Sequence, residues 1–247
     1  GGKVTVSRDR QQLQAVTGAD GKWAVDVRPL KAGGPYTLTV STEKRKLVYE
    51  NVLAGEVWLC SGQSNMEFYL NWSATAAQDV PQAANSNIRL YDIKARWRTD
   101  AVEWDASVLD SLNHLQYYKD TRWTVCSPET AGNLQVPVGR ICNAIGGSPT
   151  EAWIDRSTLE YRFPAILRNW MQNDFIQDWV RGRAALNVKQ SSNKLQRHPY
   201  EPCYLYESGI RPLEQFPVKG FIWCGGAGIA IVHVLLTRLC SQFRVSH

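Results

Sequence analysis

The apolar positions fall into two rhythms, and the change comes at Gly55. Before it, side chains alternate. In KWAVDVRP, residues 22–29, Trp23, Val25 and Val27 share one side, with Ala24, Asp26 and Arg28 on the other. In PYTLTVST, residues 35–42, Tyr36, Leu38 and Val40 repeat the arrangement. A period of two predicts strands buried on one face only. The opening GGKVTVSR already reads as a strand, and the turns GADG (18–21) and KAGG (31–34) separate such segments. Residues 1–54 are expected to form an antiparallel β-sandwich module, and a partial one, because the stretch is too short for many strands.

From Gly55 onward the rhythm changes: Val57–Cys60 is a continuous apolar run, and IRLYDI (88–93), VPVGRICNAIGG (136–147) and VKGFIWC (218–224) repeat the theme. Runs of this kind mark strands covered on both faces. Helix-like stretches lie between them. Residues 164–181 place Ile166, Trp170, Phe175 and Trp179 near one face, and Pro164 suits a first helical turn. Strands alternating with helices predict an α/β domain over 55–247 with a parallel sheet. Such sheets bind ligands beyond the carboxyl ends of their strands. The polar turns at 61–65 and 146–151 both follow strands, so both belong at that edge.

With 247 residues, 44 % of them hydrophobic, the chain can bury one large core or two small ones. The net charge of +5 is not gathered into a long basic run; Lys44-Arg45-Lys46 is the densest cluster. A solvated face explains it, and no nucleic-acid partner is expected. The longest apolar run, Ile229–Leu236, is far short of the ~20 residues that span a bilayer, so no membrane insertion is expected. Six cysteines show no C-x-x-C spacing, and Cys60 and Cys142 read as buried thiols. No cluster has metal-ligand spacing, and no glycine loop carries the Lys-Ser/Thr of a phosphate cradle, so neither metal nor cofactor is expected. Ten tryptophans suit carbohydrate contacts or ordinary core packing.

The chemistry concentrates in GEVWLCSGQSNMEF, residues 55–68. Ser64 stands between a buried strand and a possible helix start, and two readings are open. It caps the helix by accepting a first-turn N–H. Or the sharp turn allowed by Gly62 exposes its hydroxyl as a nucleophile, beside backbone N–H groups that receive a developing oxyanion. Gln63 and Asn65 surround it with polar groups. The pattern is not the G-x-S-x-G elbow, because Met66 stands where the second glycine would be.

GEVWLCSGQSNMEF resembles the nucleophile block of the sialate O-acetylesterase family, within the SGNH hydrolases. VPVGRICNAIGGSPTEAWI (136–154) resembles the second block, PLEQFPVKGFIW (212–223) the run into the third, and ENVLAGEVW the joint between a leading β-domain and the catalytic domain. The resemblance implies an SGNH-type three-layer α/β domain and a carbohydrate O-acetylesterase. A serine attacks the acetyl ester of a sugar hydroxyl, assisted by a histidine that a carboxylate orients. Carried over, Ser64 is the nucleophile and its N–H one oxyanion donor. Gly147, or else Gly146, is the second donor. Gln63 and Asn65 contact substrate, and Trp153 either lines the sugar subsite or packs in the core. The implied partner is an acetylated sugar or polysaccharide, and family habit implies a secreted or periplasmic location, although no signal peptide is visible.

The resemblance stops inside the third block. Trp223 and Gly226 fit, but CGGAGI (224–229) lacks the polar side chain expected to complete the oxyanion hole. The following AIVHVLLTRLCSQFRVSH has no family character, which suggests a frameshifted tail from about 224. No Asp-x-x-His block is found, and none of His114, His198, His233 and His247 is expected to be the base. Only Cys126–Gln135 separate Val125 from Val136, marginal for a helical crossover. Loss of that helix would expose Val138 and Ile141. An insertion at about 155–216 reads as a lid or substrate wall carrying Trp170, Trp179, Tyr200, Tyr204 and Tyr206, or as a packed segment. This copy is therefore expected to be impaired, the alternatives being a non-catalytic carbohydrate-binding protein or an inactive remnant.

Overall fold

The computed structural model describes residues 1–27, 30–128 and 139–225. They separate into two compact units, Gly1–Glu56 and Val57–His247. The first contains β1 (Lys3–Arg8), β2 (Gln11–Val16), β3 (Gly33–Ser41) and β4 (Lys46–Ala54), an antiparallel sheet in the order β2-β1-β3-β4. The β1–β2 hairpin turns at Asp9, whose φ of 48° is one that a short Asp side chain tolerates. Val4 and Val6 are buried.

The strand expected at 22–29 is not formed. Residues 22–27 have no regular structure, Trp23 and Val27 are exposed, and Arg28 and Pro29 lie outside the described residues. Alternation supplies a face but not a neighbour. Here the chain closes the Gly18–Lys22 turn, with Gly18 N–H donating to Lys22 O, and joins no ladder among the described residues.

The second unit is an α/β fold. Its sheet holds β5 (Val57–Gly62), β6 (Asn85–Ile93), β7 (Thr124–Cys126), β8 (Gly139–Ala144) and β9 (Gly220–Cys224), in the order β7-β6-β8-β5-β9. β6, β8, β5 and β9 run parallel, and β7 is antiparallel at the edge. One face carries Leu59 and Ile141 into a core shared with Trp153, Leu159, Val180 and Tyr204. Each such large apolar side chain contributes about 1.5–3 kcal/mol by leaving water. Ile88, Leu90 and Cys126 form a smaller cluster. Ile141, expected to be exposed, is only 1 % accessible: β8 is flanked by β6 and β5 and packs on the main core. Glu129–Val138, where a missing helix was suspected, lie outside the described residues, as do Gly226 and the tail with His233 and His247.

Helices α1 (Ala76–Asp79), α2 (Ala106–Asn113), α3 (Arg156–Arg162) and α4 (Asp178–Asn187) accompany the sheet. Asp105 caps α2 by accepting from Ser107 and Val108 N–H, and Asp155 caps α3 by accepting from Thr158 N–H. The single helix expected over 164–181 is broken into two short 3₁₀ turns, Pro164–Leu167 and Trp170–Gln172, before α4 begins. Two asparagines break it. Asn169 is left-handed at φ 43°, and Asn173 donates from its amide to Ala165 and Arg168 carbonyls while accepting from Phe175 N–H. Tyr200, Tyr204 and Tyr206 are packed inside rather than set along a lid.

Candidate active site

The Ser64 turn grows out of the carboxyl end of β5. Gly62 has φ +140°, and a Cβ there would stand 2.0 Å from Cys224 O. Only glycine lets β9 approach so closely. The strand end is tied on both sides: Gln63 N–H donates to Cys224 O at 2.8 Å, and Ile145 N–H donates to Gly62 O at 3.0 Å. Met66 and Glu67 N–H then both donate to Gln63 O, closing one tight turn. Ser64 is exposed at its tip, and its hydroxyl has no hydrogen-bond partner among the described residues. The capping reading is therefore not realised. The next regular element is a 3₁₀ turn at Leu70–Trp72, preceded by Tyr69.

The second turn leaves β8 and meets the first. A Cβ on Gly146 would lie 3.8 Å from Ser64 Cβ and 2.9 Å from Glu67 Oε2. Gly146 N–H donates to that carboxylate at 2.6 Å. Gly147 is left-handed at φ +75°, and a side chain there would press on the Tyr200 hydroxyl at 3.0 Å and the Trp179 ring at 3.3 Å. The Gly147 N–H has no acceptor among the described residues. Gln63 bridges the two turns, its side-chain amide donating to Ser148 O. Asn65 is exposed beside Ser64. The structure thus brings Gln63, Ser64, Asn65 and Gly146 together, with Gly147 next along the turn.

Trp153 does not line a sugar subsite. It has no accessible surface, its Nε1–H donates to Ser148 Oγ at 2.8 Å, and its ring meets Trp223 edge-on at 5.8 Å. The short 3₁₀ turn Thr150–Trp153 points it inward, where it props the Gly146–Ser148 turn from below. Exposed aromatics near the site are instead Trp179, which touches the Gly147 position, and the Phe68–Trp72 pair.

No side chain among the described residues is hydrogen-bonded to the Ser64 hydroxyl. His198 is fully buried and stacks on Trp104. Its Nδ1 accepts from Tyr200 N–H, so its Nε2 carries the proton and donates to Asn187 Oδ1. Burial pushes its pKa down to about 3, which keeps the ring neutral and structural. His114 is exposed beyond α2 and faces Asp110.

Glu67 is the residue that sequence reasoning missed. Burial raises its pKa, opposed by the Gly146 N–H and by Arg98 and Lys94, while Asp92 adds to the rise. The signal was present in Ser64-Asn65-Met66-Glu67, the S-x-x-E spacing that ordinarily marks a capping box. Here the carboxylate reaches across to another strand's turn instead of back to its own. Below the turn, Arg140 is buried on β8 and donates from Nη2 to Met66 O at 3.4 Å.

Known proteins are similar to this chain. The rat sialate O-acetylesterase is 26 % identical over 242 residues, covering 87 % of this chain and 44 % of its own length. The human sialate O-acetylesterase is 26 % identical over 232 residues, covering 87 % of this chain and 40 % of its own. The chain is similar to the sialate O-acetylesterases over most of its length. It spans less than half the length of these relatives. The fold is shared with the crystal structure of a carbohydrate acetylesterase from Xanthomonas citri, at a TM-score of 0.69 and 24 % identity, over 98 % of this chain and 51 % of that one. No protein-family model matches. The Ser64 turn and the Gly146–Ser148 turn follow the carboxyl ends of the paired strands β5 and β8, and Cys224, at the end of β9, supplies the carbonyl under Gln63.

Proposed function

We propose that the chain is an SGNH-type carbohydrate O-acetylesterase that removes acetyl groups from sugar hydroxyls through Ser64. The relatives named sialate O-acetylesterase support the substrate class. The observation that carries the reading is Gly146 packed against an exposed Ser64, whose hydroxyl has no partner among the described residues, at the end of a parallel strand. In this reading Ser64 Oγ attacks the acetyl carbon, and the carbonyl oxygen becomes an oxyanion. Ser64 N–H and Gly147 N–H receive it. The C–O bond to the sugar breaks and the sugar leaves as an alcohol, taking the proton that Ser64 gave up. Water then cleaves the acetyl-serine, releasing acetate and restoring the hydroxyl. Asn65 contacts the sugar. Gln63, fixed to Ser148 O, holds the two turns together more than it reaches for substrate. The fold that accompanies this reading is a three-layer SGNH domain, preceded in the chain by a β-sandwich module.

General-base help contributes roughly 10²–10⁴-fold to such attack. No base among the described residues is hydrogen-bonded to Ser64, which favours a second reading: a non-catalytic carbohydrate binder built on the same scaffold. Hydrolysis of p-nitrophenyl acetate by the chain and by Ser64→Ala separates the two. A Ser64-dependent rate supports the esterase. Equal rates with saccharide binding by calorimetry support the binder.

A further inference from the structure

We propose that Glu67 is a positioning residue: its carboxylate clamps the Gly146–Gly147 turn to the Ser64 turn and takes the Gly146 N–H, reserving the Gly147 N–H for the oxyanion. The catalytic part rests on the esterase reading above. The clamp itself rests on geometry alone.

The 2.6 Å contact between Gly146 N and Glu67 Oε2 is short for an N–H···O bond, as expected when the acceptor is charged. The same glycine has Ser64 Cβ 3.8 Å and Glu67 Oε2 2.9 Å from the place a Cβ would occupy, so hydroxyl-bearing residue and carboxylate converge on one side of one Cα. A side chain at 146 would have to displace the carboxylate. Two ties therefore join the turns: the neutral Gln63–Ser148 bond and the charged Glu67–Gly146 bond. They enter from neighbouring positions, because Glu67 N–H itself is held by Gln63 O. Together they fix the distance between the nucleophile turn and the donor turn.

The clamp also decides between two adjacent glycines. A donor already engaged by a carboxylate is not free to stabilise a second negative oxygen. Gly147, whose N–H has no acceptor among the described residues, is. Small displacements of such donors are expensive, since about 1 Å of misplacement costs on the order of 10²-fold in rate.

Protonation weakens the clamp by removing the charge from the acceptor. The groups that act on Glu67 are Arg98 and Lys94, which favour its charge, Asp92, which opposes it, and the Gly146 amide. The phenols of Tyr69, Tyr117 and Tyr118 also sense it. Burial is the largest influence, so the clamp lets go at a higher pH than an ordinary glutamate would dictate.

The test is an amide ¹H–¹⁵N titration of the whole chain. In the wild type the Gly146 amide proton is expected far downfield, moving upfield as acid protonates Glu67, with a midpoint above the ordinary glutamate value. In Glu67→Gln that titration disappears, and in Glu67→Ala the proton shifts upfield at every pH. A Gly146 amide indifferent to pH through the carboxylate range and to both substitutions overturns the clamp. In parallel, the Ser64-dependent rate on p-nitrophenyl acetate is expected to fall tenfold or more in Glu67→Ala. Glu67→Gln, whose carbonyl still accepts, recovers part of the loss and flattens the acid limb of the pH profile. A wild-type rate in Glu67→Ala overturns the catalytic part. No Ser64-dependent rate in the wild type refutes the esterase reading instead, and the amide titration still judges the clamp.

Discussion

Replacing Gly62 by alanine tests the joint on which the Ser64 turn is built. The added Cβ would sit 2.0 Å from Cys224 O and 2.7 Å from Cys224 C, both main-chain atoms that no rotamer change can move aside. Reaching an ordinary 3.4 Å contact requires β9 to retreat by 1.4 Å. That breaks the 2.8 Å bond from Gln63 N–H to Cys224 O, a loss of about 1–1.5 kcal/mol before any burial cost. The φ of +140° also strains a residue that now has a Cβ, by about 1–3 kcal/mol. Together the two costs come to about 2–4.5 kcal/mol. For a domain of this size the midpoint falls by roughly 10 °C. Urea unfolding followed by tryptophan fluorescence measures it. Gly182→Ala is the control: Gly182 lies inside α4, nothing stands within 4 Å of its would-be Cβ, and alanine there is expected to stabilise by about 0.5–1 kcal/mol. If Gly62→Ala loses less than about 1 kcal/mol with an unchanged urea slope, the close approach of β9 is not what the glycine is for.

Other outcomes follow from single contacts. Because burial raises the Glu67 pKa, the stability tied to its proton is complete below the ordinary glutamate range and is lost as pH rises through the raised value. Glu67→Gln should therefore gain on the wild type between pH 4 and pH 7 in thermal melts, and a constant difference would contradict this. His198, held neutral down to about pH 3, works in the opposite sense: below about pH 6.5 the unfolded chain binds a proton that the folded chain refuses. It lowers stability by about 1.4 kcal/mol per pH unit on acidification, and its ring resonances should not titrate between pH 8 and pH 5. Trp153→Phe removes the indole N–H that serves Ser148 Oγ and should cost about 1–3 kcal/mol in urea unfolding. The Cys142 and Cys203 thiols, both pushed up to about 12 by burial, should resist Ellman's reagent at pH 8 until the chain is denatured.

What could be read from the sequence was local. The apolar-rich segments gave the four parallel strands to within a few residues, because strands covered on both faces are mostly apolar, even though β8 also buries Arg140 and Asn143. The turns after Gly62 and Ile145 could be placed at one sheet edge, because parallel strands share their carboxyl ends. The failures came where a pattern needs a distant partner. Trp23, Val25 and Val27 alternate as a strand should, yet meet no neighbouring strand among the described residues. The apolar period across 164–181 survived two asparagines whose side chains bind the backbone in place of a helical turn. Trp153 could not be sorted between core and cleft, since an indole that finds Ser148 Oγ is content inside. Glu67 was invisible for the same reason: its partner lies 79 positions away in the chain.

The carbonyl beneath Gln63 belongs to Cys224, and this sets an order of events during synthesis. A nascent chain displays Ser64 early, but the backbone that closes its turn emerges some 160 residues later. At about 5–20 residues per second that is a wait of roughly 10–30 s. Through that interval β5 has an open hydrogen-bonding edge where β9 will sit, a docking place for stray strands and for chaperones alike.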